Sequence, residues 1–445
     1  VTFTVRGTIL QTPTRAALEV LVDHLVTVDA TGMIESVRPA AANDRADVTV
    51  PEGSYLLPGL VDLHVHAPQW PQIGTGYDLP LDKWLFEYTF PIEARCADAA
   101  FASQVWSSLV PSLLAGGTTT AVYYSSIHEP ATLSLAQACV EHGQRAFVGR
   151  VAMDHPTGTP DYYRDASAAE AVAASQRSIE AITALGDPLV QPIITPRFIP
   201  ACTDALLEGL GELAAATGVL VQTHCSENDW EHGYVLDRYG MTDTEALKGF
   251  GLLRDHAVLA HGVLIGADDQ ATIAAAGAGV AHCALSNVYF GNAVFPARAA
   301  LNRGVRVGLG SDLAGGSEPG MLAQCAHAVN ASRYLEDGVD PSQLASQRGT
   351  PDSRLSIAEA FWLATGGGAE VLGLPVGLLA AGHAFDAIAV ATGPNRTVQR
   401  WPDVDDDERM FEKIVRRAQS RDITNVWVGG REVIAASGDV RRSGP

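Results

Sequence analysis

Five residues of metal-binding type stand at the ends of short apolar segments. His64 and His66 close LVDLHVH (60–66), His224 falls in VLVQTHCSE (219–227), His261 in AVLAHGV (257–263), and Asp312 closes VRVGLGSD (305–312). Positions i and i+2 of a β-strand face the same side, so the H-x-H spacing aims the rings of His64 and His66 at one point. Neutral imidazoles suit Zn2+ or Fe2+. Singly each signal is weak: H-x-H arises by chance, and an apolar-flanked histidine such as His261 is commonly a hydrogen-bonded core residue. Five such groups at matching segment ends are hard to explain as unrelated core residues, and together they indicate a metal site. His24, His142, His155, His232, His256, His327 and His383 do not share this placement and read as surface or structural. His128 and His282 lie near segment ends and are candidates to support the site.

A site drawn from residues so far apart requires a fold that brings strand ends together. From Pro58 to about Leu335, apolar β-type runs alternate with longer helical stretches. Eight runs can be counted: 60–66, 118–126, 146–154, 190–198, 219–227, 257–263, 279–286 and 305–312. Helical stretches such as LEGLGELAAATG and DQATIAAAGAG end in glycine, a common helix stop. Eight consecutive βα units predict an α/β fold of the (β/α)8 TIM-barrel type, whose active sites lie at the C-terminal mouth of the strands. A doubly wound open sheet is the rival, but it does not usually need eight consecutive units. Short strand-like segments before Leu57 (FTVRGTIL, ALEVLVDHLVTV, ADVTV) and after Leu372 (AFDAIAVAT, NVWVGGREVIAA) predict a small β-sandwich domain built from both termini. The expected division is 1–57 and 375–445 for that domain and 58–374 for the barrel.

Composition narrows the partners. A chain of 445 residues, 47% hydrophobic and 18% charged, can bury enough apolar surface to fold, and exceeds the usual size of one core. The formal charge of −21 would repel phosphate backbones and anionic lipid surfaces, so neither nucleic acid nor membrane is an expected partner. The acidic run Asp403, Asp405, Asp406, Asp407 and Glu408 reads as a solvated surface loop. Six scattered cysteines without a C-x-x-C pair suit a reducing compartment. VTFTVRGTIL lacks the features of a secretion signal, and no long apolar run occurs elsewhere, so a soluble cytoplasmic protein is expected.

The motifs PGLVDLHVH (58–66), HCSEN (224–228), AHG (260–262) and GSDLAGG (310–316) resemble the strand-end motifs of the amidohydrolase superfamily, in order. HAPQ (66–69), DLPLDKWLFEYTFPIEAR (78–95), TPRF (195–198) and HCSEND (224–229) narrow the resemblance to the guanine deaminase family. It runs from about Pro58 to Leu374, with weaker support in both termini. H-x-H is generic to the superfamily, whereas HAPQ with TPRF and HCSEN is a specific combination. The resemblance implies His64, His66, His224 and Asp312 as ligands of one metal ion, Zn2+ with Fe2+ as the alternative. It implies Glu227 as proton shuttle, Asp312 as the acceptor of the attacking water's proton, and His261 as a non-ligating hydrogen-bonding group, with a ligand role left open by sequence. Gln69, Arg197 and Phe198 would hold a purine with Glu227. The plainer alternatives are an Arg197 paired with a carboxylate and a Phe198 filling the core. The implied reaction is hydrolytic deamination of guanine to xanthine in purine catabolism, by a homodimer. Another fused aminoheterocycle, a pterin or an 8-oxopurine, is the alternative substrate, and a metal-free barrel scaffold the alternative class. The segment HCALSNVYFGNAVFP (282–296) departs from the family pattern at Ala284, Phe290, Asn292 and Ala293, in a loop expected near the substrate mouth.

Overall fold

The computed structural model describes residues 2–435. Its strands are, in chain order, β1 (Phe3–Thr14), β2 (Ala17–Val28), β3 (Ile34–Pro39), β4 (Val48–Thr49), β5 (Ser54–Pro58), β6 (Leu60–His66), β7 (Thr118–Tyr124), β8 (Arg145–Gly149), β9 (Val151–Ala152), β10 (Val190–Pro192), β11 (Thr195–Pro196), β12 (Gln222–Cys225), β13 (Val258–His261), β14 (Gly279–His282), β15 (Arg306–Leu309), β16 (Ala387–Ala391), β17 (Ile423–Val428) and β18 (Arg431–Ile434). Each of the eight runs contains a strand, and two of them are broken into a pair. Run 146–154 splits into β8 and β9; run 190–198 splits into β10 and β11, each of which stops at a proline that cannot donate to the ladder.

Pairing among β6 to β15 is parallel throughout, in the orders β10-β8-β7-β6, β11-β9 and β12-β13-β14-β15. Two isolated parallel bridges connect these sheets: Ile194 with Val221 joins the fourth run to the fifth, and Val65 with Leu313 joins the first to the eighth. Every residue of β6 and of β7 is buried, as expected of parallel strands covered on both faces. Helices between the strands begin at side-chain caps, including Asp98, Ser167, Thr203, Asn228 and Thr242. Several end at a left-handed glycine, as at Gly218 and Gly277 after the two helical stretches read from sequence.

Strands from both chain ends share one mixed sheet, ordered β18-β17-β16-β5-β1-β2-β3, with β4 beside β1. Its apolar face packs Val5, Ile9, Val26, Val28, Leu56, Phe385 and Trp427 together. The last residue of NVWVGGREVIAA, and 436–445 generally, lie outside the described residues. Asp386, just before β16, ties this sheet to the parallel strands. Its side chain is 0% exposed, accepts from Nε and Nη2 of Arg145 at 3.1 and 3.0 Å, and accepts from the Gly429 backbone at 2.7 Å. Replacing Asp386 with alanine strands the Arg145 cation and is expected to cost about 3–5 kcal/mol of unfolding free energy, read as a lowered urea midpoint.

The acidic run at 403–408 is not a solvated loop throughout. Asp406 caps the helix Asp407–Arg417 by accepting from the Arg409 backbone, and Asp405 is 5% exposed and paired with Lys413. The helical spacing of Met410, Phe411, Ile414 and Val415, all buried, outweighs the local charge density. Among the described residues no helix is long and apolar enough to cross a membrane.

Candidate functional site

β6 delivers His64 and His66 to the interior, at 0% and 4% exposure, as its two-residue period requires. β12 brings His224, β13 ends at His261, and Asp312 follows β15 by three residues. All five meet. Nε2 of His64 lies 3.2 Å from Oδ1 of Asp312, Nε2 of His66 lies 3.5 Å from the same oxygen, and the Nε2 atoms of His66 and His224 are 3.1 Å apart. His261 Nε2 stands 3.9 Å from Asp312 Oδ2 and 3.8 Å from Glu227 Oε2. Gly310 permits this convergence, because a Cβ there would come within 2.8 Å of the His64 Cβ.

Three non-glycine residues at or just beyond the strand ends adopt left-handed backbone conformations: Ser226 (φ 50°), His261 (φ 74°) and Asp312 (φ 50°). Such conformations cost about 1–3 kcal/mol each and persist where surrounding structure imposes them, commonly at functional sites. Here they turn His261 and Asp312 toward the cluster, and Ser226 toward Asp243.

Ring tautomers follow from fixed partners. Nδ1 of His224 donates to the Arg197 carbonyl at 2.5 Å, which leaves the Nε2 lone pair facing the cluster. Nδ1 of His261 donates to Asn287 Oδ1 at 2.9 Å, with the same consequence for its Nε2. Burial, and the neighbouring imidazoles and Arg197, depress His64, His66 and His224 well below the usual histidine range, so all three are neutral bases. His64 Nδ1 and Nε2, His66 Nδ1 and His261 Nε2 are buried without a hydrogen-bond partner. A divalent cation accepting the lone pairs of the two that face the cluster, His64 Nε2 and His261 Nε2, would satisfy those. Either His64, His66 and His224, or His64, His261 and Asp312, could hold it, since the ligating atoms within each set lie within 4.8 Å of one another.

Glu227 is 5% exposed, and desolvation reinforced by the Asp312 charge raises its carboxyl well above the usual range. Its backbone N–H donates to Oε2 of Glu231 at 2.7 Å, which fixes the turn before the helix Asp229–Tyr239. Beside the cluster lies a cavity lined by His66, Gln69, Arg197, Phe198, His224, Glu227 and Asp312, and walled by Leu81, Trp84, Leu85, Phe290 and Gly315. The plainer reading of Arg197, a pairing with a carboxylate, holds, and the side chain also faces the cavity. Its Nη1 and Nη2 donate to the Glu93 carboxylate at 2.6 and 3.1 Å. Phe198 stands 6.1 Å from the His224 ring and 5.8 Å from Trp230.

Some contributors escaped the sequence reading. Glu93 and Asn287 act through partners distant in the chain, and Leu81, Trp84 and Leu85 reach the cavity from the segment 78–95. The departing loop at 284–293 contributes Phe290, whose ring lies 4.9 Å from that of Trp84. π-helical turns, frequent at functional sites, carry both Leu85 (Leu85–Thr89) and Phe290 (Asn287–Gly291). His282 is buried against Phe295 beside His261, and burial lowers it to about 4. His128 begins the helix Glu129–His142 beside Tyr163 and sits outside the cavity lining.

Parallel strands whose ends assemble histidines and an aspartate beside a pocket open to solvent define a metal-dependent hydrolase of the amidohydrolase type. The chain belongs to the amidohydrolase family, whose pattern matches residues 55–433. Within that family it is similar to the guanine deaminase of Dictyostelium discoideum, 32% identical over 456 residues that cover 96% of this chain and 97% of that one. It is also similar to the crystal structure of a guanine deaminase from C. acetobutylicum with guanine bound in the active site (TM-score 0.87, 28% identity, 97% and 100% coverage). An adenosine deaminase from Xanthomonas campestris with bound zinc has a TM-score of 0.83 at 25% identity, over 98% of this chain and 93% of that one.

Proposed function

We propose that this chain hydrolyses guanine to xanthine and ammonia in purine catabolism. The observation that carries the reading is the cavity in which Gln69, Arg197 and Phe198 face Glu227 and the imidazole–aspartate cluster. His64, His66, His224 and Asp312 would hold one divalent cation, Zn2+ with Fe2+ as the alternative. Such a cation, when bound, lowers the pKa of a water toward about 7 and makes hydroxide available at neutral pH.

The remaining steps fall to side chains of this chain. Arg197 donates to O6 of guanine, Gln69 hydrogen-bonds the adjacent polar edge, and Phe198 contacts the ring. Leu81, Trp84 and Phe290 exclude bulk water. Glu227, held protonated by burial, delivers its proton to N3 as water adds to C2. Asp312 accepts the proton of the attacking water. Return of a proton to the exocyclic amine lets ammonia leave, so guanine and water become xanthine and ammonia. His261, whose Nε2 lies 3.8 Å from Glu227 and 3.9 Å from Asp312, presents an acceptor between the two carboxyl groups, where it would receive a hydrogen bond from the attacking water.

The same reading treats residues 58–374 as a (β/α)8 barrel closed through the two isolated bridges, and the described residues 2–57 and 375–435 as a small β domain built on one mixed sheet in place of the expected sandwich. It places the protein in the cytoplasm as a homodimer. Six buried free thiols suit a reducing compartment.

The test is ammonia release from guanine, adenine, 8-oxoguanine and a pterin, on the wild type and on Arg197→Met. Guanine is expected to give the highest kcat/KM. Adenine carries hydrogen at C2, so in the guanine pose it has no amine to lose, and its 6-amino donor also opposes the Arg197 donors; it is expected to fall behind by at least about 10⁴-fold. Arg197→Met loses about 10–100-fold on guanine, the worth of a charge-assisted hydrogen bond, with metal content unchanged. A pterin or 8-oxoguanine outrunning guanine on the wild type would refute the guanine reading and leave the hydrolytic deaminase reading standing.

A further inference from the structure

Behind the cavity, and outside its lining, stands Glu93. It lies on the short helix Phe90–Ala94 and is 1% exposed. Oε1 of Glu93 accepts from Gln69 Nε2 at 2.8 Å and from Arg197 Nη2 at 3.1 Å, while Oε2 accepts from Arg197 Nη1 at 2.6 Å. The surroundings are aromatic: the Arg197 guanidinium lies 4.9 Å over the Phe90 ring, and the ring of the buried Tyr163 lies 6.1 Å from that of Phe90.

A carboxylate paired with a guanidinium offers only acceptors. The amide of Gln69 must therefore turn its NH2 toward Glu93, and this direction follows from chemistry rather than from the assignment of oxygen and nitrogen. Oε1 of Gln69 is left facing away from Glu93, where its neighbour is the Ala314 N–H at 3.4 Å. Arg197 commits two of its five N–H groups to Glu93 and keeps three.

We propose that Glu93 is the positioning residue that sets the recognition pattern of this pocket: by accepting from both Gln69 and Arg197 it leaves one acceptor beside fixed donors, the complement of a lactam edge. The inference rests on the guanine reading and extends it to a substrate class, fused aminoheterocycles whose ring carbonyl adjoins a ring N–H. In guanine that edge is O6 with N1–H. An amidine edge, with an amine beside a bare ring nitrogen, meets donor with donor and acceptor with acceptor, a mismatch that buried sites reject strongly.

The experiment is Glu93→Gln, with guanine and 2-aminopurine as paired substrates. 2-Aminopurine keeps the amine at C2 but carries hydrogen at C6 and a bare acceptor at N1. A carboxamide at position 93 can meet Gln69 with either its oxygen or its nitrogen, so the Gln69 amide loses its imposed direction. The expected result is a fall of about 10–100-fold in kcat/KM for guanine, mostly through KM, with 2-aminopurine affected less. The guanine to 2-aminopurine preference then drops at least about tenfold, with bound metal unchanged. A merely structural role would lower both substrates together, and an unchanged preference overturns the proposal. The exchange Gln69→Glu with Glu93→Gln returns a carboxylate acceptor to the pocket and an amide behind it. It is expected to recover preference for guanine, and it serves as the deciding variant if Glu93→Gln alone does not fold; no recovery overturns the proposal. A wild type that turns over 2-aminopurine but not guanine overturns this inference and the guanine reading together. One that prefers a lactam-edged pterin overturns only the guanine reading, and the loss in Glu93→Gln is then expected on the pterin.

Discussion

Alanine in place of His64 or of Asp312 is expected to leave a folded protein without bound divalent metal and without measurable turnover. His64 is the common member of both residue groups able to hold a cation, and neither of its ring nitrogens has a hydrogen-bond partner. Asp312 is the only carboxylate in those groups, with its Oδ1 3.2 Å from His64 and 3.5 Å from His66. Open catalytic sites have few protein ligands, so losing one removes much of the affinity. A bound cation contributes several kcal/mol to the chemical step, and its loss corresponds to about 10³-fold or more in rate. Metal content per chain by elemental analysis, beside ammonia release and a circular dichroism spectrum, decides the matter. Full metal occupancy with near-normal turnover in either variant sinks the assignment of that residue.

Glu227→Gln is expected to behave oppositely with respect to metal. The amide keeps the size of the side chain and removes the transferable proton, so metal content stays at the wild-type level while kcat falls by about 10²–10⁴-fold. Glu227 lies outside both residue groups able to hold a cation, and its nearest catalytic neighbour is His261 Nε2 at 3.8 Å. Desolvation and the Asp312 charge both oppose ionisation of Glu227, and Arg197 offsets them only in part, which is the direction a proton donor requires. Loss of metal in Glu227→Gln would instead make Glu227 a ligand and redistribute the roles of the two carboxylates.

The two variants therefore separate binding of the cation from movement of the proton, and Arg197→Met and Glu93→Gln separate both from recognition. That division follows the geometry. His66, His224 and Asp312 line the cavity together with Glu227, Gln69 and Arg197, His64 stands behind them against Asp312, and Glu93 braces Gln69 and Arg197.

Much of this arrangement was legible in the sequence because it is written in local periods. The two-residue period of a strand placed His64 and His66 on one side, and all seven residues of Leu60–His66 are buried. Alternation of apolar runs with helical stretches announced the eight strand segments, and glycine stops located helix ends at Gly218 and Gly277. Recurrence of histidine and aspartate at the ends of those runs was enough to nominate the cluster, since parallel strands bring like ends to one face. Where one local signal masked another, the reading failed: the charges of Asp403 to Glu408 concealed the helical period of Met410, Phe411, Ile414 and Val415.

The sequence by itself thus determined which residues could do chemistry and which strand ends would carry them. Only the tertiary structure decided who holds those residues in place. Glu93 meets Gln69 across 24 positions and Arg197 across 104, and Asn287 fixes the His261 ring across 26. Such partnerships leave no periodic trace, because they depend on how helices and loops pack over the strand ends rather than on the conformation of any one segment. The left-handed backbone at His261 and Asp312 is of the same kind: both residue types tolerate it better than most, but only the surrounding packing selects it at these two positions. A carboxylate's chemistry is local, but the direction in which it turns an amide 24 positions away exists only once the chain has closed around both.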